Sequence, residues 1–214
     1  HQYPNGITRV YSNCTPRNSR MENVNYLVTF GIQYYVQKYL IDEMQEWFFN
    51  LPREVAISIY SEKAAEMLGG PMNTDHIAEL YDLGYIPLRI SALPEGTKCP
   101  LRVPNVLIEN THDRFAWMTN MIETSLSCTI WGMGQSATTA NHFRNLINHF
   151  AELTADPNTA PICSGGNFTD WQGHDFSMRG MFSVEAATIS GMGHLLSFTG
   201  SDTIPSTSAL QYYY

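Results

Sequence analysis

The sequence contains few charged residues, and this shortage excludes some classes of protein. Only 15% of the 214 residues are charged, whereas 43% are apolar, which favours a folded protein with an extensive core. Lysine and arginine total 12 against 20 aspartates and glutamates, for a net charge of -8, so we expect no binding to nucleic acid. A phosphorylated substrate would require locally clustered arginines, because the chain as a whole repels anions.

Cysteines and long apolar runs are also scarce. The four cysteines form no Cys-x-x-Cys pair and lie far apart, at Cys14, Cys99, Cys128 and Cys163. That spacing favours reduced thiols over a disulfide framework or a zinc site. No apolar run is long enough to span a bilayer, and the sequence has neither a repeat nor a low-complexity segment. We therefore expect a soluble, cytoplasmic protein with no membrane contact.

Both ends of the chain indicate a portion of a longer protein. The first residue is His1 rather than methionine, and the last three residues, Tyr212–Tyr214, lie inside a predicted helix that has no cap. We expect the natural protein to extend beyond these 214 residues.

Residues 1–165 predict a mixed α/β domain. The hydrophobic pattern predicts strands at 8–13, 86–92 and 106–109 and helices at 24–50, 53–68, 75–84, 114–131 and 135–153. The turn Pro94-Glu95-Gly96 follows the second strand. A segment rich in proline, asparagine and glycine at 155–166 predicts a domain boundary, so the second domain is residues 166–214.

The second domain alternates strands and helices with short loops between them. Strands are predicted at 174–176 and 194–198, and helices at 182–190 and from Thr203 onward. This alternation is typical of a parallel sheet or barrel. Because only about two such units fit, we expect no more than the beginning of an α/β barrel.

Two motifs in this second domain have the most informative side chains. They are HDFSMRG, at 174–180, and FTGSDT, at 198–203. Together they place an aromatic ring (Phe176), a guanidinium (Arg179) and a carboxylate (Asp202) at two predicted strand ends joined by a helix. These groups suit a flat heteroaromatic ring, a phosphate and an amide, respectively. The set favours an enzyme that attaches a base to a phosphorylated sugar.

With these motifs in place, the chain resembles the nicotinamide phosphoribosyltransferases of NAD salvage. The resemblance also rests on Gln2-Tyr3-Pro4, Val10-Tyr11-Ser12, Phe30-Gly31-Ile32-Gln33-Tyr34, Pro94-Glu95-Gly96, Glu109-Asn110-Thr111, Trp117-Met118-Thr119-Asn120 and Ile122-Glu123-Thr124. It covers only the N-terminal half of that longer family. It implies a type II phosphoribosyltransferase-like fold, in which a mixed α/β domain leads into an irregular α/β barrel, truncated here. It also implies a homodimer with shared active sites.

The resemblance implies roles for four residues. Phe176 would stack on the pyridine ring, and Asp202 would accept a hydrogen bond from the carboxamide, which disfavours nicotinate. Arg179 and Arg17 would bind the phosphates of phosphoribosyl pyrophosphate. The residues alone leave other interpretations open: Phe176 in the core, Asp202 as the N-cap of the last helix, Arg179 on the surface, and Arg20 in the place of Arg17.

The implied reaction transfers the 5-phosphoribosyl group from phosphoribosyl pyrophosphate to nicotinamide and yields nicotinamide mononucleotide and pyrophosphate. Mg2+ would assist, and some family members couple the reaction to ATP. The family's catalytic histidine and Gly-rich phosphate loop are expected beyond Tyr214, so we expect the 214 residues alone to be inactive. Two alternatives remain: a nicotinate phosphoribosyltransferase, and a non-catalytic module for ligand binding or dimerisation. Ser177-Met178 replaces the family's usual Gly-Tyr.

Overall fold

The computed structural model describes residues 3, 4, 6–156 and 167–214. Among these residues the strands are β1 (Tyr11–Cys14), β2 (Tyr26–Val28), β3 (Leu88–Ala92), β4 (Lys98–Pro100), β5 (Val106–Asn110), β6 (His174–Asp175) and β7 (Gly200–Ser201). The α-helices are α1 (Ile32–Tyr35), α2 (Arg53–Leu68), α3 (Asp75–Leu83), α4 (Met118–Met121), α5 (Glu123–Thr154), α6 (Val184–His194) and α7 (Ile204–Tyr213). Short 3-10 turns occupy Asp113–Phe115, Phe168–Trp171 and Ser177–Gly180, and π-helical segments occupy Val36–Asp42 and Gln45–Phe49. This mixture confirms the predicted α/β class.

The chain divides into two compact units, each of which is built from three separate segments. The first unit is His1–Ser12, Tyr35–Ile90 and Ile108–Met121, and the second is Asn13–Tyr34, Ser91–Leu107 and Ile122–Tyr214. Strand β5 lies between β1 and β3 in a three-stranded sheet. Helix α5 ends at Thr154, and most of the predicted boundary segment, residues 157–166, lies outside the described residues. The predicted domains 1–165 and 166–214 stay a prediction.

The first unit contains the helices that the sequence predicted best. Helix α2 ends at Gly69, whose φ of +77° favours glycine. Helix α3 begins where the side-chain oxygen of Asn73 accepts the backbone N–H of Asp75 at 2.7 Å, and it ends at Gly84 with a φ of +79°. One core cluster of this unit is formed by the buried side chains Leu80, Phe115 and Met118.

The predicted helix at 24–50 is wrong at its N-terminal end. Residues 26–28 form β2, which pairs antiparallel with β4, a strand that the sequence did not predict. The helix begins only at Ile32, after Gly31 with a φ of +99°. The carboxylate of Glu95 accepts the backbone N–H groups of Gly31 and Gln33 at 2.7 and 2.9 Å. The predicted turn at 94–96 therefore caps this helix.

The second unit is organised around α5, which runs unbroken for 32 residues. The sequence predicted two helices separated at the glycines of 132–134, and this is wrong. A Cβ on Gly134 would lie 3.2 Å from the carbonyl oxygen of Val28, so this glycine permits close packing of α5 on β2. Similarly, a Cβ on Gly193 of α6 would lie 2.7 Å from the carbonyl oxygen of Met133. These glycines mark contacts between elements and do not interrupt the helix.

Strands β6 and β7 are parallel and are joined by α6, as the alternating pattern predicted. The predicted strand at 194–198 is wrong, because α6 continues to His194 and the strand is β7, at Gly200–Ser201. Apolar runs of this length do not distinguish a helix end from a short buried strand. Phe198 is instead buried in the turn, with its ring centroid 5.1 Å from that of His194.

The last turn of α7 packs against the segment at 30–34. The rings of Phe30 and Tyr214 stack with centroids 5.4 Å apart, and Tyr34 meets Tyr213 edge-on at 4.7 Å. The Gln33 side chain also donates a hydrogen bond to the carbonyl oxygen of Tyr213. No helix within the described residues has the length and hydropathy needed to cross a bilayer.

Candidate functional site

The parallel pairing of β6 and β7 brings the two sequence motifs side by side. His174 is in register with Gly200, and Asp175 with Ser201. The backbone N–H of Asp202 donates to the carbonyl oxygen of Asp175 at 2.9 Å. The HDF and GSD segments, predicted as neighbouring strand ends, are therefore adjacent.

The imidazole of His174 lies between the two predicted contacts for a ligand ring. Its Nε2 is 3.0 Å from Oδ1 of Asp202, and its ring centroid is 4.4 Å from that of Phe176 with an interplanar angle of 34°. Because an ionised carboxylate only accepts hydrogen bonds, Nε2 carries the proton and donates it. The structure thus brings Phe176 and Asp202 together through His174.

Two of the open alternatives for these residues do not hold. Phe176 is 59% exposed, so its ring is not in the core and it has surface available for stacking. The N-cap of α7 is Thr203 and not Asp202. The Asp202 side chain is 59% exposed and hydrogen-bonds to His174, so its carboxylate has surface left for another donor.

Asp175 anchors the backbone below the site. It is buried at 8% exposure, and its Oδ1 accepts the backbone N–H of Ser177 at 2.9 Å. Burial acts to raise the pKa of this carboxyl, but interactions with Ser177 and Thr203 outweigh it and lower the pKa below its usual value. Ser177 is not among the described residues with positive φ. The change from the family's glycine at this position therefore causes no left-handed strain.

Helices α6 and α7 approach each other closely behind Asp175. A Cβ on Gly191 would lie 2.2 Å from Oγ of Ser206 and 3.0 Å from Oδ2 of Asp175. Oγ of Ser206 donates to the carbonyl oxygen of Thr188 at 2.9 Å. The strand ends are thus held by packing that has no space for an additional methyl group.

His194 supports the site from α6, a role that sequence reasoning missed. Its Nε2 donates to the carbonyl oxygen of Gly200 at 2.9 Å. Burial lowers the pKa of His194 despite this hydrogen bond. A histidine at a helix end next to a glycine-containing strand could have suggested such a contact, but the predicted strand at 194–198 obscured it.

Among the described residues, no hydrogen bond or ion pair joins the two arginines predicted to bind phosphate to Phe176 or Asp202. Arg179 lies exposed in the 3-10 turn Ser177–Gly180, and Arg17 lies exposed in the loop after β1. Among the described residues neither guanidinium has a hydrogen bond or an ion pair. Arg102, which the sequence analysis did not single out, donates its backbone N–H to the carbonyl oxygen of Pro16 at 2.7 Å.

The described part of the chain offers no metal centre. It contains no group of three or more histidine, cysteine, aspartate or glutamate side chains that could hold an ion.

Comparison with known proteins shows similarity to nicotinamide phosphoribosyltransferases. The chain is 39% identical over 219 residues to the nicotinamide phosphoribosyltransferase of Acinetobacter baylyi, and the match covers 100% of the chain. Over its full length, the chain is therefore similar to part of this nicotinamide phosphoribosyltransferase. It is also 39% identical over 122 residues to the enzyme of that name from Mycoplasma genitalium, covering 56% of the chain and 25% of that protein. The chain spans 42% of the length of the Acinetobacter enzyme.

Two further comparisons involve nicotinate enzymes. Residues 171–212 match the nicotinate phosphoribosyltransferase (NAPRTase) family, and this range includes both motifs of the site. The crystal structure of human nicotinic acid phosphoribosyltransferase matches with a TM-score of 0.55 at 15% identity, covering 94% of this chain and 33% of that one. At this identity the likeness shows a shared fold.

Proposed function

We propose that the full-length protein transfers the 5-phosphoribosyl group from phosphoribosyl pyrophosphate to nicotinamide. The observation that supports this most is the arrangement of an exposed Phe176 ring and an ionised Asp202 carboxylate around His174. A neutral pyridine carboxamide offers a flat face to the ring and an N–H donor to the carboxylate.

The residues of this chain would position the substrates and stabilise charge. Phe176 would hold the pyridine plane, and Asp202 would fix its rotation, so that the ring nitrogen faces C1 of the sugar. Arg179 and Arg17 have no protein counter-charge in the described residues, which leaves their guanidinium groups available to phosphate oxygens. Mg2+ bound by the pyrophosphate would supply further charge for its departure, and ATP coupling stays a prediction. When the bonds that form and break all belong to the substrates, the protein lowers the reaction barrier mainly by positioning the substrates and stabilising charge.

The nicotinate alternative is favoured by the family match at 171–212, but Asp202 opposes it. Two carboxylates in contact repel each other, and neither can donate a hydrogen bond. We therefore propose the amide as substrate. A homodimer with shared active sites and a cytoplasmic location complete the proposal.

Substrate choice can be measured with the full-length product of the gene that encodes this chain. Given phosphoribosyl pyrophosphate and Mg2+, it should form nicotinamide mononucleotide with a higher kcat/KM than nicotinate mononucleotide. Asp202→Asn, which conserves shape and removes the charge, should lower kcat/KM for nicotinamide by about tenfold. A wild-type preference for nicotinate would overturn the substrate assignment.

The 214 residues alone provide a second test. We propose that they do not catalyse the transfer, because the histidine that packs on the Phe176 ring, His174, is hydrogen-bonded to Asp202 and would position that carboxylate without reacting itself. Formation of nicotinamide mononucleotide by the purified chain would contradict this. Calorimetry with nicotinamide would show whether the chain binds the ring without reacting.

A further inference from the structure

We infer that His174 is a positioning residue that sets the preference for amide over acid by holding the Asp202 carboxylate beside Phe176. The inference rests on the proposed function, because it assigns a role to a neighbour of the proposed ligand contacts.

The first observation is the hydrogen bond itself. Nε2 of His174 donates to Oδ1 of Asp202 at 3.0 Å. In the described part of the chain, the Asp202 carboxylate has no other side-chain partner. An aspartate with 59% of its side chain exposed would otherwise move among several rotamers. With Oδ1 occupied, Oδ2 is the oxygen left to accept the amide N–H of a ligand.

The second observation is that the imidazole is itself tightly held. Phe176 covers one side of it at 4.4 Å between centroids. On the strand below, a Cβ on Gly200 would lie only 2.6 Å from Nδ1 of His174. Glycine is required at position 200 because of the space that the imidazole needs. It is not required by the backbone conformation, since Gly200 does not have a positive φ. Gly200 thus provides the space in which the imidazole lies.

These contacts link three elements of the proposed pocket. The ring orients Phe176 by packing, and the ring nitrogen orients Asp202 by hydrogen bonding. A carboxylate fixed at one oxygen keeps its charge and its acceptor in one place, which favours an N–H donor and repels a second carboxylate. Loss of the ring should therefore weaken amide binding and reduce the discrimination against acid.

Four variants of the full-length protein test this. His174→Ala removes the ring and the donor, whereas His174→Gln retains an amide N–H near the position of Nε2. Gly200→Ala should push the ring out of place without changing Phe176 or Asp202. In the double variant H174A/G200A the added methyl has no ring to displace, so it should add little to the effect of H174A.

Calorimetry with nicotinamide and nicotinate, together with steady-state kinetics, gives the readouts. H174A should raise both the Kd and the KM for nicotinamide by about tenfold and lower the amide-to-acid ratio by a similar factor. The KM for phosphoribosyl pyrophosphate should not change. H174Q should recover most of the preference, and thermal unfolding of each variant controls for misfolding.

The outcomes separate this inference from the proposed function. A wild-type protein that binds nicotinamide but forms no mononucleotide would overturn the proposed function only. An unchanged amide-to-acid ratio in H174A, or a Gly200→Ala effect that persists in the double variant, would overturn the role of His174. A merely structural role would raise both substrates' KM values equally, with no recovery in H174Q.

Discussion

His194, the last residue of α6, donates a hydrogen bond to the carbonyl oxygen of Gly200 in β7 at 2.9 Å. It thereby connects the end of a helix to β7, the strand that pairs with β6, on which His174 lies. Because burial lowers the pKa of His194, protonation of this side chain opposes the folded state.

The first prediction concerns this histidine and pH. The unfolded chain binds the His194 proton more readily than the folded chain, so the free energy of unfolding should be highest above about pH 6.5 and decline as the pH falls. His194→Gln keeps an N–H donor and does not titrate. The decline between pH 7 and pH 5 should be smaller in this variant, as measured by urea unfolding at each pH. Equal declines in both proteins would rule out His194 as a source of acid sensitivity.

The second prediction concerns the close approach of α6 and α7. Gly191→Ala places a methyl group 2.2 Å from Oγ of Ser206, and the resulting overlap should reduce the free energy of unfolding by about 1–3 kcal/mol. Gly180→Ala is the matched control, because a Cβ there meets no atom within 4 Å. Chemical denaturation should leave Gly180→Ala close to wild type. Similar free energies of unfolding for the two variants would show that α6 and α7 can move apart without loss of stability.

The third prediction separates the two exposed phenylalanines near the site. Phe176 is 59% exposed and packs on His174, whereas Phe182 is 97% exposed. If Phe176 stacks on the ligand, Phe176→Leu should raise the Kd for nicotinamide about three- to tenfold, because an aliphatic side chain lacks the stacking interaction. Phe182→Leu should not change it. Calorimetry on the full-length protein measures the Kd of both variants. A larger increase in Kd for Phe182→Leu would contradict the assignment of the pocket to Phe176.

The fourth prediction concerns Arg144 of α5, a partly buried arginine with several partners. It forms an ion pair with Asp170, donates to the carbonyl oxygen of Ser197 at 2.9 Å and lies over the Phe198 ring at 5.7 Å. Arg144→Ala should lower the free energy of unfolding by about 2 kcal/mol, since it leaves a partly buried carboxylate without its partner.

A matched control for Arg144 is available on α2. Lys63 pairs with Glu66 across one helical turn, and both side chains are about two-thirds exposed, at 71% and 66%. Lys63→Ala should change the free energy of unfolding by less than about 0.5 kcal/mol. Thermal and urea unfolding should rank the two variants in this order, and a larger loss for Lys63→Ala would be inconsistent with the packing described.

The sequence predicted elements well where local signals determine them. Helices α2 and α3 have glycines just past their ends, and Gly69 and Gly84 adopt the positive φ that this position favours. The candidate site was also predictable in part, because the strand–helix–strand pattern implies that HDF and GSD lie side by side. The third member of that cluster, the His174 bridge to Asp202, depends on side-chain directions that spacing does not reveal.

The errors arise where distant contacts decide the structure. Tyr26–Val28 continues an apolar run into the following helix, and only pairing with β4 makes it a strand. Gly134 was interpreted as a helix break, although it lies against Val28. In both cases the deciding partner is far along the chain, and a single sequence does not specify that partner.

The contacts between the last turn of α7 and the segment at 30–34 have a consequence for biosynthesis. Gln33 and Tyr213 are 180 positions apart. The ribosome must therefore synthesise nearly all of this stretch before α7 can cover the aromatic side chains of the segment at 30–34. Until then Phe30 and Tyr34 stay accessible to chaperones and to other nascent chains. Such long-range closure slows folding, and we expect expression at lower temperature to raise the yield of correctly assembled protein.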